Sequence, residues 1–181
     1  MLRLQSLTPK LNALKIGETV SLRPKAKGAF VLDEKAQTHV MISTVTGVAP
    51  FVSMVRHYLA GHYSQTFLKP LYVFQGASYL DEFGYLEELT AAQKSGKVVY
   101  IPTISRPKEA KNASWKGQTG RVNLIIDDYF KKLSITPEST SIYLCGNQNM
   151  IDALANKKPS SDKPLGKLVE KGFTVKEEVY F

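Results

Sequence analysis

From His39 onward, short apolar runs rich in β-branched residues alternate with stretches of helical periodicity, and this rhythm constrains the fold more than any other feature of the chain. The runs are residues 39–44, 71–75, 98–104, 141–145 and 173–180. Strands that alternate with helices are joined by crossovers, which make the strands parallel and cover both faces of their sheet. The expected fold is therefore α/β, a doubly wound and roughly five-stranded parallel sheet.

The helical stretches carry their own boundary signals. After the first strand, Gly47 to Pro50 supply turn and helix-start chemistry, because proline loses nothing in a first turn whose N–H groups have no partners. Phe51, Met54, Val55, Tyr58 and Leu59 then recur at helical spacing, and Gly61 can stop the helix. Further helices are expected near Glu82 to Lys94, over Arg121 to Lys132, from Met150, and over Leu165 to Lys171, the last ended by Gly172. Glycine, proline, lysine and asparagine concentrate in Ser105 to Gly120 and Asn156 to Pro164, which read as irregular loops.

Residues 1–38 behave differently. Leu11, Leu14 and Ile16 lead to a turn at Gly17, followed by an alternating stretch from Val20 to Pro24 and a short run from Gly28 to Leu32. Two strands and a small helix are expected there, too little to close a barrel or bury a core. The chain thus divides into a β-type segment, 1–38, and an α/β unit, 39–181.

Composition narrows the function classes. Within 181 residues, 43 % hydrophobic, no stretch approaches the ~20 apolar residues that a membrane span needs, so no span is expected. Met1 to Thr8 lack the apolar core of a secretory signal. The one cysteine, Cys145, cannot form an internal disulfide and fits a reducing compartment, cytoplasm or organelle matrix. A net charge of +8 steers acidic partners or phosphates toward the surface. The lysines are scattered without an aromatic-interleaved motif, so no nucleic-acid partner is expected. His39, His57 and His62 lack companion ligand spacing, which argues against a metal site. Neither Gly-x-Ser-x-Gly nor a Walker loop is present, so hydrolysis and phosphoryl transfer have no support.

Ligands of such sheets bind beyond the carboxyl ends of the strands. Four strand ends carry suggestive residues. Thr44-Val45-Thr46-Gly47 precede a helix whose amides can cradle a pyrophosphate. Gly76-Ala77-Ser78-Tyr79 follow the second strand, with backbone or hydroxyl contacts to offer. Ser105-Arg106 follow the third and pair a hydroxyl with a guanidinium, a set suited to an adenosine 2′-phosphate. Cys145-Gly146-Asn147 close the fourth, with Asn147 able to cap the next helix. Each also has an ordinary reading: a tight turn, a loop glycine, a solvated Ser-Arg pair, a small buried cysteine.

Taken in order, these blocks resemble the NADP-binding domain of ferredoxin–NADP reductases. Thr44 to Phe51 is similar to the family's Thr-Gly-Thr-Gly-x-Ala-Pro-Phe loop. Ser105-Arg106 with Trp115, Gly117, Gly120 and Arg121 resembles its Ser-Arg and Gly-Arg-Val segment. Tyr143 to Asn147 with Met150 matches the next block, and Glu178-Val179-Tyr180-Phe181 resembles the acidic-aromatic end. Leu7 to Leu14, Gly17 and Lys25 to Phe30 look like the end of the family's flavin barrel.

The resemblance implies electron transfer between NADPH and a one-electron carrier, ferredoxin or flavodoxin, through FAD. It puts Thr44, Thr46, Gly47, Gly76 and Gly146 around the dinucleotide, Ser105 and Arg106 at the 2′-phosphate, and Cys145 and Glu178 at the hydride-transfer site. Tyr180 or Phe181 would stack on the flavin.

Three departures accompany it. Most of the flavin domain is missing, so FAD would need a partner chain that completes its site and covers the barrel remnant. Val45 stands where the family has glycine, and Ser78 stands at or near the position where many members place an arginine against the cofactor phosphates, so both are expected to weaken NADP binding. A split reductase, a catalytically silent subunit and a piece of a longer reductase are the readings left open.

Overall fold

Each apolar run becomes a strand because it can bury side chains on both faces at once. The computed structural model describes residues 9–22, 24–25, 28–63, 69–160, 162 and 164–179. Its strands are β1 (Thr38–Thr44), β2 (Leu71–Ala77), β3 (Val98–Ile104), β4 (Gln118–Thr119), β5 (Thr140–Gly146) and β6 (Thr174–Val179). They form one sheet in the order β4-β3-β2-β1-β5-β6, with every pairing parallel. The five expected strands are thus joined by a sixth, β4, whose two residues are too few to show a pattern.

Helices α1 (Ala49–Leu59), α2 (Leu86–Ala92), α3 (Val122–Lys132), α4 (Gln148–Ala155) and α5 (Lys167–Glu170) cover the sheet. Alternation along the strands sorts the core into two layers. Val40, Ile42, Phe74, Ile142 and Leu144 face α3 and α4 through Val122, Ile126, Phe130, Ile151 and Leu154. Met41, Val73, Tyr143 and Cys145 face the other way, against Phe51, Val52 and Val55 of α1 and Leu89 beside them. Burying a side chain such as Phe51 or Ile126 contributes roughly 1.5–3 kcal/mol each. Placing a charge at either position would break the layer.

The ends of α1 and α3 follow local chemistry. Pro50 stands in the first turn of α1, and Gly61, with φ of 81°, lies just beyond its end. On α3, Asp127 pairs with Lys167 at 2.9 Å and Lys171 at 2.6 Å, which ties α3 to α5.

Before β1 the outcome differs from expectation. Residues 9–12 form a helical turn, but none of the described residues in Val20 to Pro24 or Gly28 to Leu32 is in a strand. A strand needs a neighbour for its N–H and C=O groups, and among the described residues no other strand lies beside these. Leu11, Leu14, Ile16, Val20 and Leu22 are exposed. Residues 30–36 instead lie on the α1 layer: Leu32 is buried, and Phe30 packs on Phe51 and Tyr143. The Asp33 N–H donates to the Tyr143 hydroxyl at 2.7 Å. No described helix is long and apolar enough to cross a membrane.

Candidate functional site

The sheet winds outward from β1 in both directions, so a crevice opens at the carboxyl ends of its strands. A cavity of about 380 Å³ fills that crevice. Thr44, Val45, Gly76, Ala77 and Ser78 line it from β1 and β2; Ser105 and Arg106 line it from the end of β3. Gly120, Arg121, Val122 and Asn123 close one side at the start of α3, and Asn147, Asn149 and Met150 close another at the start of α4. From β3 to β5 the cavity crosses three strand spacings, about 14 Å.

The β1–β5 side is built by backbone close to backbone. A Cβ on Gly47 would lie 2.2 Å from the Cys145 carbonyl oxygen, and one on Gly146, with φ of 136°, would lie 2.2 Å from Thr44 Oγ1. Only residues without side chains allow that approach. The Asn147 N–H donates to Thr44 Oγ1 at 2.8 Å, and Asn147 Oδ1 accepts from the Asn149 N–H at 2.9 Å, capping α4. Gly76 is the register partner of Thr44, and its α-carbon lies beneath Val122 of α3.

Val45 is the unusual residue of this side. Its φ of 46° lies in the left-handed region, which a β-branched side chain disfavours by about 1–2 kcal/mol. The backbone therefore keeps a shape suited to glycine while the residue is valine. Its carbonyl accepts from Gln75 Nε2 at 3.1 Å.

The β3 side is built from side chains. Arg106 is exposed, donates from Nη1 to the Tyr79 hydroxyl at 2.7 Å, and lies with Cζ 5.4 Å from the centre of the Tyr79 ring. Lys111 Nζ lies 5.1 Å from the same ring. Beneath them Asn112, 2 % exposed, donates to the Ser78 and Arg106 carbonyls at 2.9 and 2.8 Å and accepts from the Leu80 N–H. One buried amide thereby joins the loops after β2 and β3. The Ser78 N–H donates to Glu82 Oε2 at 2.7 Å. Arg121, at the mouth beside Gly120, adds a second guanidinium to the lining. The result is a groove that is cationic at one end and neutral and polar at the other, suited to an extended anionic ligand.

Thr44, Gly76, Ser105 and Arg106 are thus brought together, whereas Thr46, Gly47, Cys145, Gly146 and Glu178 do not line the cavity. Thr46 is exposed and Gly47 is buried against β5. Cys145 is fully buried in the α1 layer, and pairing of β5 with β6 sets Glu178 beside it in register. Tyr180 and Phe181 lie outside the described residues. Asn123 and Asn149 escaped the sequence reading, although Asn149 is the second residue after a capping asparagine that follows a strand. Among the described residues, no group of three or more His, Cys, Asp or Glu is placed to hold a metal ion.

At the other end of the same central strands, His39 is fully buried with Nδ1 3.2 Å from the Tyr143 hydroxyl. Burial pushes its pKa down to about 4, with a smaller opposing effect from the Ala36 backbone, and pushes Tyr143 up to about 12.

Comparison with known proteins agrees with this geometry. The family model described as the oxidoreductase NAD-binding domain matches residues 41–156. The flavodoxin/ferredoxin–NADP reductase of Escherichia coli is 30 % identical over 153 residues, covering 80 % of this chain and 58 % of that protein. That of Rhodobacter capsulatus is 27 % identical over 190 residues, covering 92 % of this chain and 66 % of that protein. The chain therefore spans somewhat under two thirds of the length of these reductases. Among solved structures, a ferredoxin NADP+ reductase from Neisseria gonorrhoeae with bound FAD and NADP matches with a TM-score of 0.58 at 19 % identity, over 87 % of this chain and 62 % of that one. The CS-b5R domains of human Ncb5or in the NAD+ form match with a TM-score of 0.66 at 17 % identity, over 94 % of this chain and 45 % of that one. At such identities the structures speak for the fold alone. The chain belongs to the oxidoreductase NAD-binding domain family, within its ferredoxin–NADP reductase group.

Proposed function

We propose that this chain is the NADP-binding part of a reductase that passes electrons between NADPH and a one-electron carrier, ferredoxin or flavodoxin, through FAD held by a further domain or partner chain. The observation that carries the reading is the paired charge of Arg106 and Arg121 at one end of a long polar groove on the sheet's crest. Ser105 and the two guanidiniums would hold the 2′-phosphate by charge-assisted bonds. Thr44, Gly76 and the side chains of Asn147 and Asn149 at the start of α4 would face the pyrophosphate. When bound, the nicotinamide supplies the hydride. Cys145 and Glu178 are register neighbours, and Glu178, half-buried, would hold a proton or orient the ring if the nicotinamide lies beside them. The FAD would be held by that further domain or partner chain. The exposed apolar residues Leu11, Leu14, Ile16, Val20 and Leu22 would supply a surface for that further domain or partner chain.

A second reading, a catalytically silent subunit that keeps the fold as a scaffold, is favoured by Val45 in the glycine-like turn and by Ser78 among the cavity residues. A visible absorption spectrum of the protein purified with its tightly held partners separates the two. Flavin bands bleached by NADPH support the reductase. A colourless preparation that does not bind NADP+ supports the scaffold.

A further inference from the structure

The conformation of Val45 is not one that valine sustains unaided, so something outside the loop must hold it. Directly below lies Gln75, fully buried in β2. Its Nε2 donates to the Val45 carbonyl at 3.1 Å and reaches the Gly84 carbonyl at 3.4 Å, while its Oε1 accepts from the Tyr100 hydroxyl at 2.6 Å. Three of the amide's four bonds are thereby made, which leaves it no other orientation without orphaning a buried polar atom. Tyr100 is fixed in turn, because it is buried in β3 and its N–H donates to Gln93 Oε1 at 3.1 Å. Burial pushes its phenol well above the usual range, so it remains a donor at any working pH. A chain of two buried side chains thus runs from the middle of the sheet to the loop that lines the cavity.

We propose that Gln75 and Tyr100 are positioning residues that impose the left-handed turn on Val45 and so give the dinucleotide loop its binding shape. With glycine at position 45 the turn would stand by itself and the pair would be nearly dispensable. With valine the two are required. The effects of substitutions at 45 and 75 are therefore coupled rather than additive. The part of this inference that concerns ligand affinity rests on the NADP reading above, whereas the part that concerns loop shape does not.

The test uses the full chain as wild type, Gln75→Leu, Tyr100→Phe, Val45→Gly and the double variant Gln75→Leu with Val45→Gly. Tyr100→Phe guards against a Gln75 variant that fails to fold, since it removes one hydroxyl and keeps the ring. Amide hydrogen exchange at residues 46–49 reads loop shape without ligand, and titration with NADP+ reads binding. Gln75→Leu is expected to speed exchange at these amides about tenfold, with a smaller rise for Tyr100→Phe, and to weaken NADP+ binding several-fold. Both effects should shrink at least threefold when Val45→Gly is present. Equal effects in both backgrounds, or unchanged loop exchange in both single variants, would overturn the inference. Wild-type protein that ignores NADP+ would sink the functional reading, and the exchange data would still decide this one.

Discussion

The two sides of the cavity are made differently. Where β1 meets β5, backbone lies against backbone: Gly47 sits on the Cys145 carbonyl and Gly146 on Thr44, with no room for a methyl group at either. Beyond β3, the exposed Arg106 and Lys111 both lie against the half-buried Tyr79, supported from below by Asn112. The first side owes its shape to the fold and cannot change without disturbing the core. The second side owes its charge to side chains that can be replaced singly. Changes on the first side should therefore register as stability, and changes on the second as ligand choice.

The sharpest way to break this contrast is Gly47→Ala. Its Cβ would meet backbone rather than a movable side chain, so a loss of about 3 kcal/mol or more in urea unfolding is expected. A loss under 1 kcal/mol would show that the β1–β5 junction can spread.

Next in size is the response to acid at the opposite end of the same strands. His39 has its folded pKa depressed to about 4, so between the ordinary 6.5 and 4 the unfolded chain binds more protons than the folded one. Its contribution is fully present above pH 6.5 and is lost as pH falls toward 4, about 3 kcal/mol in total. His39→Gln should flatten the dependence of urea midpoint on pH across that window. An unchanged slope would assign the acid sensitivity to other groups.

On the β3 side, Arg106→Ala should weaken NADP+ binding about tenfold, leave NAD+ binding nearly unchanged and shift stability by less than about 0.5 kcal/mol. Equal loss for both nucleotides in calorimetric titration would remove Arg106 from the 2′-phosphate.

The smallest expected effect crosses the contrast. Val45→Gly relieves left-handed strain and adds chain entropy to the unfolded state, for a net gain of about 1 kcal/mol in stability together with tighter NADP+ binding. Greater stability without tighter binding would mean that the valine side chain does not obstruct the dinucleotide.

Much of this architecture is legible in the residues alone. Runs such as His39 to Thr44 and Ser141 to Cys145 announce central parallel strands because both faces are apolar, and Ser105-Arg106 announces part of the cavity wall because its position follows a strand. The two-residue β4 is silent, since two residues carry no period. The stretch before β1 shows alternation without forming strands, since alternation states only which face would be buried and not whether a neighbour exists. Asn112 and Gln75 are read in sequence as an ordinary loop asparagine and a strand-end glutamine. Their importance lies in partners 34 and 30 residues away, the Ser78 and Val45 carbonyls.

By itself the sequence determined the fold class, the succession of the five longer strands with the helices between them, and strand ends that line the crevice, because periodicity, turn residues and caps act over a few neighbouring positions. Tertiary structure alone decided that Cys145 and Glu178 lie side by side, that Gly47 and Gly146 serve close approach rather than the cavity wall, and that Val45 is held left-handed from below. Those facts depend on register and on contacts between distant segments, which come into being only when the sheet assembles.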